Sequence, residues 1–297
     1  MKGEIRSSGA SGKSRVPKEL APGLYVTATP IGNAGDITLR ALDVLSAADA
    51  IIVEDTRVTA KLLAILDLQK PLLAYNDHNA SRERPRILAR LRAGERLALV
   101  SDAGTPLISD PGFKLVREAI ASDLPVHVVP GPSAVIGALA VSGLPTDKFL
   151  FAGFLPPKQG ERRRALAEWK TVRATLIVFE SAQRLSETLS DMASILGSRP
   201  VSIARELTKL HEEITRGDLE SLAEAYRHRD PPKGEITVVV GPPLDDAPDM
   251  TRADALIEMA LAFMPVRAAS DLISEALGAP RRDIYARALA IKSRENG

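Results

Sequence analysis

The chain has 297 residues, of which 45% are apolar and only 4% aromatic, and its net charge is +1. That is enough for roughly two domains with full cores, and too few aromatics for a single-strand binder built on stacking platforms. The balanced charge excludes a whole-molecule polyanion binder, so any nucleic-acid contact must come from local basic patches.

With no cysteine in the chain, disulfides, thiolate chemistry and cysteine-ligated metals are excluded. The four histidines are scattered, with no pair at ligand spacing on one helix, so no metal is expected. No apolar run has membrane-spanning length, and the N-terminus lacks the apolar core of a signal peptide. These features predict a soluble, cytoplasmic protein.

Residues 1–23 are rich in Gly, Ser and Lys, have no apolar periodicity, and read as a flexible basic arm. Gly12-Lys13-Ser14 ends like a phosphate-binding P-loop, but Ser7 stands where that motif needs glycine and no strand precedes it. From Leu24 a strand, turn and helix pattern repeats. Strands are predicted at Leu24–Thr29, Ala50–Val53, Leu72–Tyr75, Leu97–Val100 and Val126–Val129. Between and after them lie helices at Thr38–Ala47, Val58–Leu66, Arg82–Arg92, Phe113–Ala121 and Ser133–Val141. Alternation of this length implies βαβ units and a mostly parallel sheet.

Leu144-Pro145-Thr146-Asp147 reads as a domain boundary, giving an N-terminal α/β domain at 24–145. The pattern then restarts in a second α/β domain at 146–242. Its strands are predicted at Lys148–Phe154, Thr175–Phe179, Val201–Arg205 and Gly234–Val240, with helices at Ala182–Leu196 and about Leu219–Arg227. Arg162-Arg163-Arg164 opens another helix, either as a solvated start or as a phosphate contact. After a Pro/Asp linker, residues 251–297 read as a tail of three short helices, with Gly278 between the last two as in a helix-turn-helix-like unit. Its basic residues Arg281, Arg282, Arg287, Lys292 and Arg294 suit RNA contact. Leu272, Ile273, Leu277, Ile284, Tyr285 and Leu289 could instead form a small core that supports a dimer.

The chemistry gathers at the strand ends of the first half. Ser101 to Gly112 is the central stretch, a turn from buried strand to helix in which Gly104 is free to take a left-handed conformation and Pro106 and Pro111 restrict the loop. Asp102 puts an acceptor at the strand tip, and Asp110 is placed to cap the helix behind Pro111. The ends Pro30-Ile31-Gly32-Asn33, Glu54-Asp55-Thr56-Arg57, Asp77-His78 and Pro130 to Ala134 would share one edge of one sheet, which implies a pre-formed ligand crevice. A Rossmann dinucleotide site fits poorly, because Gly32-Asn33-Ala34-Gly35 lacks the required glycine spacing.

On Thr29 to Asn33, Glu54 to Arg57, Asp77 to Asn79, Ser101 to Gly112, Pro130 to Pro132, Gly153 to Pro156, Ala204 to Lys209 and Lys233 to Glu235, the chain resembles the tetrapyrrole methylase superfamily. Within it, the chain is similar to the ribosomal RNA small subunit methyltransferase I family. The resemblance covers about Leu24 to Val240 in order, together with the helical tail. It implies two α/β domains with a cofactor cleft between them, in a homodimer. It also implies methylation, with S-adenosylmethionine, of the ribose 2′-hydroxyl of a cytidine in the decoding region of 16S ribosomal RNA.

Carried over residue by residue, the resemblance places the cofactor against Pro30, Asp102, Thr105, Pro106, Ser133 and Ala134. Further contacts are implied around Phe179, Leu207 and Glu235. In-line alignment of an activated methyl donor can supply roughly 7–11 kcal/mol. A general base adds about 3–5 kcal/mol. Glu54, Asp55, Asp77, His78 and Glu206 are candidates for that base, and Arg57, Arg205 or Lys209 could steady a developing oxyanion or a phosphate. Two other functions stay open: a small-molecule, tetrapyrrole-type methyltransferase of the same fold, and a non-catalytic RNA-binding or assembly protein.

Overall fold

The structure, a computed structural model, describes residues 20–243 and 250–295. Residues up to Trp169 and from Ala174 to Gly241 belong to one compact unit, and 170–173 with the tail form a second. The arm expected over 1–23 lies outside the described residues up to Glu19. Leu20 already packs against the core, and Gly23 opens the first strand.

The first sheet uses β1 (Gly23–Thr27), β2 (Ala50–Val53), β3 (Leu72–Ala74), β4 (Arg96–Leu99) and β5 (Val126–Val129). The interleaved helices are α1 (Leu39–Ala47), α2 (Thr56–Ile65), α3 (Ala80–Arg92), α4 (Phe113–Ala121) and α5 (Ala134–Ser142). The order is β3-β2-β4-β1-β5 and every pairing is parallel. Both faces are covered, which is why the strands are continuous apolar runs. Leu24, Val26, Ile52, Leu97 and Leu99 face α3 and α4, while Tyr25, Ile51, Val53, Ala98 and Val100 face α1 and α2. The adjacent strands β1 and β4 therefore send their chains to opposite faces. A crevice opens between such strands at their carboxyl ends, where ligands bind in open α/β sheets.

The second sheet corrects the expectation of a restarted parallel pattern. It comprises β6 (Phe149–Phe154), β7 (Thr175–Ser181), β8 (Pro200–Arg205), β9 (Glu213–Asp218) and β10 (Glu235–Val240), in the order β6-β7-β10-β8-β9. Only β6 and β7 run parallel, and the remaining pairings are antiparallel. The strand β9 is absent from the sequence reading. It is a polar edge strand paired with β8 alone, so it carries no buried apolar run.

Helix α5 leaves the first sheet and packs Val135, Ala138 and Leu139 on Ile177, Ala204 and Val239 of the second. Helices α6 (Gln159–Glu168), α7 (Leu185–Leu196) and α8 (Leu219–Arg227) accompany this sheet. The arginine run is corrected here too. Arg162 is 1% exposed and pairs at 2.7 Å with Asp191, itself 3% exposed, while Arg163 reaches the same carboxylate at 3.2 Å. The run clamps α6 to α7 and leaves Arg164 exposed.

The tail forms α9 (Met250–Leu261), α10 (Val266–Leu277) and α11 (Arg281–Glu295) around Ala253, Ile257, Ile273, Ile284, Ala288 and Ile291. Gly278 ends α10 in the left-handed conformation at φ 60°. Of the expected tail core, Ile273 and Ile284 are buried and Leu277 packs against them, but Leu272, Tyr285 and Leu289 are exposed. Packing against α9 turns a different face of α11 inward. Arg281 pairs with Asp271 and Arg287 with Asp254, so part of the basic set is neutralised within the tail.

Candidate functional site

Five loops follow the carboxyl ends of the parallel strands, and the loops after β1 and β4 are stitched together. Thr29 and Gly104 exchange backbone hydrogen bonds of 2.9 and 3.1 Å, and the Thr29 hydroxyl reaches the Ser101 carbonyl at 3.3 Å. Thr105 donates to the Pro132 carbonyl at 3.0 Å, tying in the loop after β5. Ser133 caps α5 by accepting from the Ile136 amide. Asp55 caps α2 by accepting from the Arg57 amide at 2.8 Å.

The helix expected to be capped by Asp110 is corrected. Gly112, at φ 129°, holds the cap position of α4, and no side chain caps it. A Cβ at Gly112 would sit 2.7 Å from Leu107, so only glycine lets this chain turn so tightly.

A cavity of about 460 Å³ lies between these loops and the second sheet. One wall is built from Ile31, Asp102 to Thr105, Ile108 to Asp110 and Ser133 to Val135. The other comprises Phe154, Phe179 to Gln183 and Gly234 to Thr237. The cavity is bordered by strained backbone. Leu107 and Ser109 (φ 74° and 68°) lie in one flanking loop, and Glu206 and Thr208 (φ 51° and 65°) in the other. Non-glycine residues rarely hold this conformation, and such strain clusters at ligand sites.

The first wall is acidic. Burial pushes the Asp102 carboxyl above its ordinary range, although its Oδ1 accepts a 3.2 Å hydrogen bond from the Asp55 amide. Burial likewise raises Asp110, partly offset by the Ser101 hydroxyl. Glu54 is raised by burial and then by its neighbours Asp110, Asp102, Asp77 and Asp55. Asp55 behaves oppositely: Arg57, 2.6 Å away, holds it down to about 2. Raised carboxylates facing a cavity favour a cationic ligand, because its charge relieves their mutual repulsion.

The loop after β8 meets this region from the second sheet. Lys209 Nζ lies 2.7 Å from Glu206 and 3.0 Å from Glu235. Burial pulls Lys209 down, but those two carboxylates outweigh it and hold it raised. The Lys209 hydrogen bond keeps Glu206 low. Arg205 pairs with Glu213 at 3.0 Å and donates to the Lys233 carbonyl. Thr208 accepts from the Asn33 amide at 3.2 Å, joining this loop to the one after β1.

Of the residues assigned to the cofactor, Asp102, Thr105, Ser133, Ala134, Phe179 and Glu235 line the cavity. Pro30, Pro106 and Leu207 are not among the lining residues: Pro106 is buried, and Leu207 packs with the α5 cluster. Among the catalytic candidates, Glu54 joins the acidic wall electrostatically. Asp77 and His78 are exposed, and Arg57, Arg205 and Lys209 are each committed to a carboxylate. Asp110, Ile108 and Phe154 also line the cavity, beyond the residues the sequence assigns to it. All three fall inside the motifs at Ser101 to Gly112 and Gly153 to Pro156, where the residue pattern alone makes Asp110 look like a helix cap. Among the described residues no cluster of metal-ligating side chains occurs, and no helix is long and apolar enough to cross a membrane.

Known proteins match in the same terms. The Tetrapyrrole (Corrin/Porphyrin) Methylases pattern matches residues 23–223, and that of the RsmI C-terminal HTH domain matches 246–292. The fold is shared with diphthine synthase, at a TM-score of 0.57 and 17% identity over 73% of this chain and 89% of that one. It is also shared with uroporphyrin-III-C-methyltransferase from Thermus thermophilus, at 0.53 and 21% over 74% and 94%. Ribosomal RNA small subunit methyltransferase I of Mesorhizobium japonicum is 47% identical over 95% of this chain and 96% of its own. That of Erythrobacter litoralis is 49% identical over 92% and 97%. With its fold and near-complete coverage, the chain belongs to the tetrapyrrole methylase family and, within it, to the ribosomal RNA small subunit methyltransferase I group.

Proposed function

We propose that this chain transfers a methyl group from S-adenosylmethionine to the ribose 2′-hydroxyl of a cytidine in 16S ribosomal RNA of the small subunit. The observation that carries the reading is the 47–49% identity, over nearly the whole chain, to ribosomal RNA small subunit methyltransferases I. The cavity fits the cofactor. Its carboxylates suit a cation, its alanine and glycine positions allow close approach, and Phe179 offers a flat wall.

When bound, S-adenosylmethionine supplies a methyl group already activated on a cationic sulfur. Asp102, Thr105, Ser133, Ala134, Phe179 and Glu235 would hold it. Glu54 takes the hydroxyl proton in this reading. Its raised pKa brings it closer to neutral pH, where a general base works best, whereas Asp55 and Glu206 are too well stabilised as anions to be effective bases. Lys209 and Arg205, neutralised by carboxylates, act as braces rather than as oxyanion partners.

A homodimer working in the cytoplasm, where ribosomes assemble, belongs to the same reading. Val128 on the edge strand β5 and Ile120 on the neighbouring α4 are both more than half exposed, and a second copy would cover them. The alternative of a small-ring substrate has only fold-level support, at 16–21% identity.

The test is transfer of labelled methyl to small ribosomal subunits lacking the modification. The expected product is one labelled cytidine whose 3′ linkage resists alkali, as a blocked 2′-hydroxyl requires. Label on a base, or none on RNA, overturns the reading.

A further inference from the structure

Phe151, Phe154 and Phe179 are three of the six phenylalanines in the chain, and they form one cluster beside the cavity. Phe151 meets Phe179 edge-on, with centroids 4.9 Å apart, and both pack against the buried residues of α5. Phe154 tilts against Phe179 at 5.5 Å, yet it is 59% exposed while lining the cavity. Part of its ring surface is therefore uncovered at the mouth, with Phe179 behind it.

The backbone that carries the ring is held firmly. The pairing of β6 with β7 shifts register between Phe151 and Phe154, and Gly153 takes φ 66° there. Leu155, next in the chain, is buried. Its carbonyl accepts from Arg184 at 2.8 Å, and Arg184 is braced on the buried Glu180 at 3.1 Å. A Cβ at Gly153 would lie 3.4 Å from the Ser109 hydroxyl. The bulge thus abuts the strained loop of the first sheet, where Ile108 lines the same cavity and is 40% exposed.

We infer that Phe154 is the stacking platform for the nucleobase of the nucleotide being methylated, with Ile108 as the apolar surface contributed by the opposite sheet. The inference rests on the RNA reading above. A ribose hydroxyl within structured RNA must be splayed out to reach a cavity. A rigid aromatic face at the mouth is the group that compensates the lost base stacking. The inner ring, Phe179, remains with the cofactor.

The experiment compares the unaltered chain with Phe154→Ala and Phe154→Trp on small subunits lacking the modification, and measures S-adenosylmethionine affinity by calorimetry. Loss of one stacked base is expected to lower kcat/KM for the subunit roughly 5- to 150-fold in Phe154→Ala. Phe154→Trp should stay within about threefold, and cofactor affinity should stay within about twofold in both, below the range expected for a lost stack. Three outcomes overturn the inference alone: cofactor affinity falling in step with activity, Phe154→Ala matching the unaltered chain, or Phe154→Trp failing as badly as Phe154→Ala. No transfer by the unaltered chain overturns the RNA reading and this inference with it.

Discussion

One set of carboxylates in each half of the larger unit is treated in the opposite way to the other. In the first, Asp102 and Asp110 line the cavity with Glu54 coupled to them, and burial raises all three, Arg57 offsetting only part of the shift at Asp102. In the second, Glu180 and Asp191 are more deeply buried, and Arg184 and Arg162 sit on them. Buried charge left unpaired costs stability, and paired buried charge costs stability when the pair is broken. The difference teaches that Glu180 and Asp191 serve as architecture, while in the proposed function Asp102, Asp110 and Glu54 are left available to a ligand.

The largest effect should come from breaking the architectural side. Asp191→Ala leaves the buried Arg162 with the longer contacts to Glu187 and the Pro157 carbonyl, both at 3.5 Å, and should cost about 3–5 kcal/mol. Calorimetry should show the unfolding midpoint lower by roughly 6–20 °C, with cofactor affinity of the folded protein unchanged. Glu54→Gln should do the reverse. Turnover on the subunit should fall about 10²–10⁴-fold, while the midpoint holds or rises. Full activity of that variant would move the base to Asp110.

Asp102→Ala comes next. Losing one hydrogen bond to a charged group should weaken S-adenosylmethionine roughly 10- to 150-fold, without melting the protein. If Asp102→Ala unfolds the chain and spares binding, the division between the halves fails.

The smallest effect is in pH. Asp102, Asp110 and Glu54 have folded-state values above their ordinary 3.8, 3.8 and 4.5. Their contribution to stability is therefore present below those values and lost as pH rises through the raised ones. A bound cation favours the ionised carboxylates, so protons are released on binding. Affinity for S-adenosylmethionine should climb across that window more steeply than affinity for S-adenosylhomocysteine, whose sulfur is neutral. Asp49, held at about 2 by Arg96, has the opposite sign. Its stabilisation is present above 3.8 and lost as pH falls toward 2. Calorimetry in two buffers separates proton release from binding, and equal pH slopes for the two ligands would remove the acidic wall from cofactor recognition.

Much of the first sheet was legible because parallel strands read as short apolar runs between turn residues. Ala50–Val53 and Val126–Val129 stand as predicted, as does α4. The direction of strands in the second sheet was not legible, since an antiparallel pair needs no different residues on its buried face. Strand β9 was hidden because its residues face solvent along one edge. Within the site, the Ser101 to Gly112 stretch drew notice through its small residues and prolines. The role of Asp110 turned on a single backbone angle at Gly112, which a residue string does not display. Arg162 was illegible for a related reason. Three arginines in a row look solvated until a partner 29 residues away is known. In the tail, the apolar spacing of α11 was visible, but the inward face depended on α9.

Gly32 shows how far apart in the chain one decision can be made. A Cβ there would lie 2.3 Å from Cγ of Lys209, whose far end is fixed by two carboxylates and so has little room to retreat. Neither position is free to vary by itself. Alanine at 32 is admissible only after the side chain at 209 has been shortened, and a shortened 209 leaves Glu206 and Glu235 facing each other without their common cation. Any lineage that changes one must pass through a poorer intermediate or change both together. The two positions are thus expected to be inherited as a unit, and the double variant should lose less function than the sum of the single losses.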